Sequence, residues 1–239
     1  MEPWRDYPMD LEIWIDFTCP FCYLGKIRFF KALQRFKYKQ TVNITYHSYL
    51  LSPNDNNLEK LNGHQWLAKH KDITLEQAIK LNLNVEEMAF DEGLSLDFNQ
   101  VIPRNTIYAH KLMKQLHGQA QIDFVDAVFN AQFKDHQDIS SLDVLIELAK
   151  PYLDPIKISE IYLSNTNLDL IKADIDLSTK FGLRGVPFFV LNRKYSISGA
   201  QDELYFYDTL EELYFESKPK KPKETTYCVG DHCERKVKK

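Results

Sequence analysis

The chain of 239 residues contains only four cysteines and eight glycines. So few cysteines exclude a disulfide-dense secreted scaffold. No glycine-rich loop precedes a helix-like segment, which excludes a phosphate cradle, and Gly182 and Gly185 read as turn residues. No window approaches 18 consecutive apolar residues, so no membrane-spanning helix is expected. Neither sign of charge dominates: 30 Lys and Arg stand against 34 Asp and Glu. A net charge of −4 gives no reason to expect a nucleic-acid partner. Internal repeats are absent, and His64, His70, His117 and His136 lack metal-ligand spacing. No apolar leader precedes the first strand-like run, so the expectation is a cytoplasmic protein.

What is present is ordinary globular composition, 44% hydrophobic and 13% aromatic. Leu11 to Phe17 reads as a strand and Tyr23 to Phe36 as an amphipathic helix, with apolar residues at three-residue steps. Val42 to Leu51, closed by Ser52-Pro53, is a second strand, which makes a βαβ start. From Pro53 to about Thr166 the pattern is helical. Thr74-Leu75-Glu76-Gln77 has the form of a capping box opening a helix through Leu81, and Val85 to Phe90 follows. Asn105 to His117 is helical and stops at Gly118, a candidate C′ glycine. Leu168 to Phe181 is helical again. Pro187 to Leu191 and Tyr195 to Ser198 form a hairpin-like pair without the Asn-Gly turn signal, and Asp202 to Phe215 is a last helix.

The expected division is therefore 1–52 (strand, helix, strand), 53–166 (helical block), 167–216 (helix, hairpin, helix) and a basic extension, 217–239. That tail is near +5, which leaves the body near −9. Its Lys/Pro alternation from Lys218 to Lys223 reads as an extended linker.

The cysteines form two close pairs, Cys19/Cys22 and Cys228/Cys233. Without a secretory leader, close pairs point to redox catalysis or to metal. Cys19-Pro20-Phe21-Cys22 falls where a strand hands over to a helix. There the unsatisfied N–H groups and the macrodipole favour an anion, so Cys19 is the candidate nucleophile. Pro20 suits the first turn, Phe21 flanks the pair, and Cys22, one turn along, is placed to resolve a mixed disulfide. A zinc half-site is the rival, and it needs ligands that Cys228 and Cys233 supply only if the tail folds back. Asp16, just before the turn, is either a buried proton-transfer carboxylate, a cap or a solvent-exposed residue. His47 reads as a packed or edge residue. In Arg184-Gly185-Val186-Pro187-Phe188-Phe189 the proline opens a strand, either as a bland turn or as a cis peptide presenting the Val186 backbone.

Taken together, the motifs resemble the DsbA-like branch of the thioredoxin superfamily, and within it the FrnE-like members. The resemblance rests on Asp16-Phe17-Thr18-Cys19-Pro20-Phe21-Cys22-Tyr23-Leu24-Gly25 and Gly185-Val186-Pro187-Phe188-Phe189-Val190. It rests also on Glu92-Gly93-Leu94, Pro103-Arg104-Asn105-Thr106 with Ala109-His110-Lys111-Leu112, and Ile197-Ser198-Gly199-Ala200-Gln201. It covers roughly residues 10 to 215. It implies an α/β thioredoxin fold interrupted by an α-helical insertion domain, a redox dithiol at Cys19 and Cys22, and a cis-Pro187 facing it, with Val186 and Pro187 orienting the partner. It implies that Asn105 and His110 lie near the active-site face, where both are expected to be structural.

Some FrnE-like proteins carry a similar Cys-x4-Cys pair in a C-terminal extension. For Cys228 and Cys233 three readings stand: an auxiliary dithiol exchanging with the first, a local disulfide, or a metal site with His232. The expected activity is thiol-disulfide exchange on disulfide- or thiol-containing proteins or small thiols. It needs no organic cofactor and leaves glutathione as a co-substrate, with a dimer left open. In a reducing cytoplasm that implies reduction or isomerisation. The rivals are a glutathione-dependent isomerase or transferase on a similar scaffold, and a non-catalytic chaperone or binding module.

Overall fold

A computed structural model describes residues 8–217 together with the backbone of two further strands, 224–229 and 232–237. The chain opens with β1 (Met9–Ile15), α1 (Pro20–Arg35) and β2 (Val42–Ser48). Six helices follow: α2 (Gly63–Lys71), α3 (Leu75–Asp91), α4 (Ile107–Met113), α5 (Gly118–Phe133), α6 (Leu142–Ala149) and α7 (Pro155–Leu163). Then come α8 (Leu168–Lys180), β3 (Phe188–Leu191), β4 (Tyr195–Ser198) and α9 (Glu203–Ser217).

The four strands form one sheet in the order β2-β1-β3-β4, with β1 parallel to β2 and antiparallel to β3. Central position explains the composition of β1. Leu11, Ile13 and Ile15 enter the main core with α1 and α9, whereas Trp14 faces the other way, into a smaller cluster with Phe188 and Val190 under α8. The parallel β1–β2 pair requires a crossover, which α1 supplies. The β3–β4 turn closes through Asn192 and Arg193, both left-handed at φ 50° and 52°, with Lys194 N–H donating to the Leu191 carbonyl. This is the backbone twist that a tight hairpin prefers, achieved without glycine.

Several boundaries differ from the sequence reading. The Thr74–Gln77 capping box forms, but α3 runs unbroken through Leu81 to Asp91. Gly118 does not end a helix; at φ 56° it begins α5, and the preceding helix is the shorter α4. Sequence reading did not single out α2, which starts on a second capping box at Asn62 and Gln65, or α7, which starts at Pro155 behind an Asp154 cap.

His47 is packed, and more specifically than the sequence foretold. Its ring stacks on Trp14 at 4.3 Å and lies between Asp174 (Nδ1 to Oδ1, 2.6 Å) and Glu12 (Nε2 to Oε1, 3.2 Å). Asp174 also accepts from Lys114 (2.6 Å) and from Ser48 N–H (2.7 Å), so one carboxylate joins β2, α4 and α8. Burial alone would raise the Asp174 carboxyl, but the hydrogen bonds and charges of His47 and Lys114 outweigh it and hold it below the ordinary value. A depressed carboxyl contributes stability above the unfolded-state pKa, about 3.9, and loses it as pH falls through the folded value. Denaturant titrations of the wild type and Asp174→Asn should therefore differ most near neutral pH and converge below about pH 4. A gap that stays constant down to pH 3 would refute this.

Candidate active site

The site begins with the turn from β1 into α1. Asp16 is buried: its Oδ1 accepts from Thr18 N–H (3.2 Å), its Oδ2 from Leu51 N–H (2.7 Å), and its backbone carbonyl from Cys19 N–H (3.0 Å). It thus fixes the turn and staples it to the end of β2. Cys19 is the N-cap of α1 in extended conformation (φ −88°, ψ 110°), with Pro20 at the first helical position, as the sequence indicated. Phe21 points outward, 40% exposed.

The two thiols are unequal. Cys19 retains 6% of its surface and Cys22 none. Both are free. Burial pushes the Cys22 thiol well above its ordinary value, and its hydrogen bond to Cys19 and the neighbouring Cys19 charge add to this. The Asp16 backbone N–H acts in the opposite sense, and the Asp16 carboxylate raises it again.

Facing Cys19 is the loop before β3. Cys19 Sγ donates to the Val186 carbonyl at 3.5 Å, and the Val186–Pro187 peptide is cis. Gly199 N–H donates to the Pro187 carbonyl (2.9 Å), tying this loop to the end of β4. Gly25 explains how α1 comes so near: a Cβ there would fall 3.0 Å from Pro187 Cγ and 3.2 Å from Ala200 Cα. Alanine would gain about 0.5–1 kcal/mol of helix propensity over glycine. The obstacle at Ala200, however, is backbone. Gly25→Ala should lose about 1–3 kcal/mol net by overpacking and slow thiol exchange as the Val186 carbonyl retreats. Denaturation midpoints and alkylation rates of Cys19 would test both; a more stable variant with unchanged rates would contradict the argument.

The helices brace α1 from the side. Lys26, almost wholly buried, pairs with Asp126 of α5; burial lowers its pKa, while Asp126 counteracts this. Tyr23 donates to Asn130 Oδ1 (2.6 Å), and burial with the charges of Asp126 and Asp135 pushes its phenol up to about 12. Arg28 donates to Glu92 (2.7 Å) and the Ala200 carbonyl (2.9 Å). Asn105 caps Ile107 N–H and reaches Pro53 and Asn56, a structural role. His110 lies fully buried behind the turn, 3.7 Å from Asp16 Oδ1 and tilted against Phe17. The pairings of Lys26 with Asp126 and of Tyr23 with Asn130 gave no sequence signal, because the partners lie about a hundred residues apart.

Beside Cys19, between the active-site turn and helices α2 and α3, lies a cavity of about 650 Å³. Trp66 and Leu67 of α2 and Leu81 and Val85 of α3 line it; from sequence Leu81 and Val85 were read only as helix bounds, and none of the four as a site residue. Among the described residues, no group of three or more His, Cys, Asp or Glu is placed to hold a metal. No described helix is long and apolar enough to cross a membrane. The side chains of Cys228 and Cys233 lie outside the described residues. Their backbones are described: β5 (Glu224–Val229) and β6 (His232–Val237) pair antiparallel, with Cys228 directly opposite Cys233.

This architecture, a four-stranded sheet with helices inserted after β2 and a cis-proline loop facing a Cys-x-x-Cys helix start, is that of a known family. The chain belongs to the DSBA-like thioredoxin domain family, whose model matches residues 10–212. Among solved structures it is similar to a probable DsbA oxidoreductase from Streptomyces coelicolor, 29% identical, with a TM-score of 0.80 over 95% of this chain and 98% of that one. The fold is shared with a 2-hydroxychromene-2-carboxylate isomerase (17% identical, TM-score 0.61, 87% of this chain and 97% of that one). It is shared too with the cytosolic disulfide reductase DsbM from Pseudomonas aeruginosa, solved with GSH (13%, TM-score 0.56, 87% and 96%). No curated protein matches the chain.

Proposed function

We propose that the protein is a thiol-disulfide oxidoreductase working through Cys19 and Cys22. The observation that carries this reading is their asymmetry. Cys19 stands at the start of α1, against the Val186 carbonyl and with access to solvent, while Cys22 is buried one turn behind it. In the reducing direction the Cys19 thiolate attacks a substrate disulfide, forming a Cys19–substrate bond and releasing the second substrate sulfur as a thiolate that takes up a proton. Cys22 then gives up its proton and attacks the Cys19 sulfur, releasing the first. The substrate gains two electrons and two protons, and the protein ends with a Cys19–Cys22 disulfide. Oxidation is the same sequence reversed. Val186 and Pro187 orient the partner.

In this reading Asp16 supports the second step. The Cys22 thiol must ionise despite burial, and Asp16 is the carboxylate whose charge it feels. Asp16→Asn should slow resolution about 100-fold near neutral pH, within the usual range for a proton-transfer group. Loss of its charge also lowers the Cys22 thiol, so the deficit should shrink as pH rises. A deficit independent of pH would assign Asp16 to the turn alone.

The same proposal divides the chain at 52, 166 and 216, with 53–166 as the insertion domain. It takes disulfide- or thiol-containing proteins or small thiols as partners, uses the dithiol itself in place of an organic cofactor, with glutathione as a co-substrate, and is set in the cytoplasm. The tail pair is an auxiliary dithiol in this scheme. Directly opposed residues in an antiparallel pair lie about 4.5–5.5 Å apart at Cα, within the reach of a disulfide. The decisive experiment is equilibration across glutathione ratios, alkylation of free thiols and mass-spectrometric mapping of every cysteine. Joint titration of Cys19 and Cys22, with cross-links to Cys228 or Cys233, supports the relay. A pair that stays reduced throughout removes the oxidoreductase reading.

A further inference from the structure

Behind the active-site turn lies a titratable group that the exchange described above leaves unused. His110 sits on α4, wholly buried, and neither ring nitrogen has a hydrogen-bond partner among the described residues. An imidazole carries at least one N–H in either protonation state, so an unpaired donor stands in the interior. Buried donors are nearly always paired, because an unmade bond forfeits the group's hydration without return. A ring kept only for packing would be better made of carbon.

What His110 faces accounts for its nitrogens. Nε2 lies 3.7 Å from Asp16 Oδ1, so an approach of about 0.8 Å would make an ordinary hydrogen bond. The ring is tilted against Phe17, with centroids 4.8 Å apart. Asp16 Oδ1 has a lone pair to spare: it accepts only from Thr18 N–H at 3.2 Å, whereas Oδ2 holds the shorter bond to Leu51 N–H. The nearby cations are occupied elsewhere. Arg104 pairs with Asp138 (3.3 Å), and Lys111, next to His110 on α4, donates to the carbonyls of Tyr162 and Ser164. Among the described residues Asp16 is the charged group that His110 meets. Asp16 is also the carboxylate whose charge Cys22 feels. It thus connects a thiol that must lose a proton with a base that has no other partner.

We infer that His110 is a positioning residue acting through Asp16, sharing the proton that Asp16 takes from Cys22 and so keeping the carboxylate available during resolution. The inference rests on the redox reading and on the role of Asp16 proposed above. In the step, the Cys22 S–H bond breaks and its proton passes to Asp16 and on to the imidazole. The sulfur keeps the electron pair and attacks Cys19 Sγ. The Cys19–Cys22 bond forms, the Cys19–substrate bond breaks, and the substrate sulfur leaves as a thiolate. That thiolate is protonated as the Asp16–His110 pair gives its proton back, which returns the pair to its starting state.

The test is single-turnover oxidation of the reduced, full-length protein by an excess of a cyclic peptide disulfide, quenched with acid and read by mass spectrometry. The peptide adduct and the internal disulfide differ in mass, so attack and resolution are timed separately. His110→Leu, which keeps apolar bulk and has no nitrogen, should slow resolution about 10- to 100-fold near neutral pH and leave attack unchanged. His110→Gln should show the same deficit, and it decides the matter if the leucine variant does not fold. In an Asp16→Asn background neither change should slow resolution further, since the two residues act as one unit. The deficit should shrink as pH rises toward ionisation of the Cys22 thiol, which then needs no acceptor for its proton.

Resolution at the wild-type rate in the folded variants would overturn the inference. So would a deficit that is independent of pH, that falls equally on attack, or that multiplies with the loss in Asp16→Asn. Each of these marks a ring needed only for packing. If Asp16→Asn itself resolves like the wild type, the role of Asp16 goes, and this inference with it. Failure of Cys19 to react with the peptide at all is a different result, and it removes the redox reading.

Discussion

Replacing Cys19 with serine should abolish disulfide exchange, with a loss of about 1,000-fold or more, because a serine oxygen cannot form the mixed disulfide. Replacing Cys22 with serine should have a different outcome. The first attack remains, but no buried thiol stands behind Cys19 to displace the substrate. The protein should then accumulate as a covalent adduct, visible as a mass increase equal to one substrate chain and reversed by dithiothreitol. If Cys22→Ser turns over like the wild type, or if Cys19→Ser forms the adduct in its place, the roles of the two thiols are misassigned. The protein fold should survive both changes, since each replaces a single side-chain atom by a smaller one and neither cysteine is cross-linked in the structure.

Phe129→Ala should be the most damaging of the core substitutions. Phe129 is wholly buried on α5, 5.2 Å from Phe17, 5.5 Å from Tyr23 and 6.4 Å from Phe133 between ring centroids. Phe17 belongs to the active-site turn and Tyr23 to α1, so this ring joins the inserted helices to the candidate site. Truncation of a buried phenylalanine costs about 3–5 kcal/mol, a large share of the roughly 5–15 kcal/mol that holds a domain together. Urea denaturation would read the loss directly. The physical argument also requires that Cys22 become more accessible to alkylation at denaturant concentrations where the wild type is still protected. A loss below about 1 kcal/mol would mean that the helices and the sheet are packed independently of this ring.

Short-range physics made much of this legible in the sequence. The Thr74 capping box, the strand handing over to a Cys-Pro helix start, and both strands of the final hairpin are local patterns, and each has its counterpart in the structure. Local reading went astray where its signals were ambiguous. Gly118 is as good a helix stop as a helix start, and the second of the two left-handed positions in the hairpin turn went to Arg193, a residue with no preference for it. Helix α2 spans only nine residues, too few for a convincing apolar stripe. The buried polar groups were beyond reach for another reason. Lys26 meets Asp126, and His47 meets Asp174, over 100 and 127 residues of chain, and composition alone cannot distinguish a buried paired lysine from a solvated one. The cavity is of the same kind, since its walls are brought together from five separate stretches of sequence.

The chain order of the sheet has a consequence in time. Strand β1 lies between β2 and β3, pairing Leu11 with both Ile44 and Leu191, so its second neighbour is about 180 residues away along the chain. Cys19 and Val186 are separated by 167 residues. At synthesis rates of roughly 5–20 residues per second, Cys19 leaves the ribosome about 10–30 s before the loop that faces it. For that interval α1 carries its two thiols with no opposing strand and no proline loop. The newborn protein thus passes through a stage in which the two thiols of the α1 start are at their least protected, and the arrival of β3 both completes the sheet and closes over them.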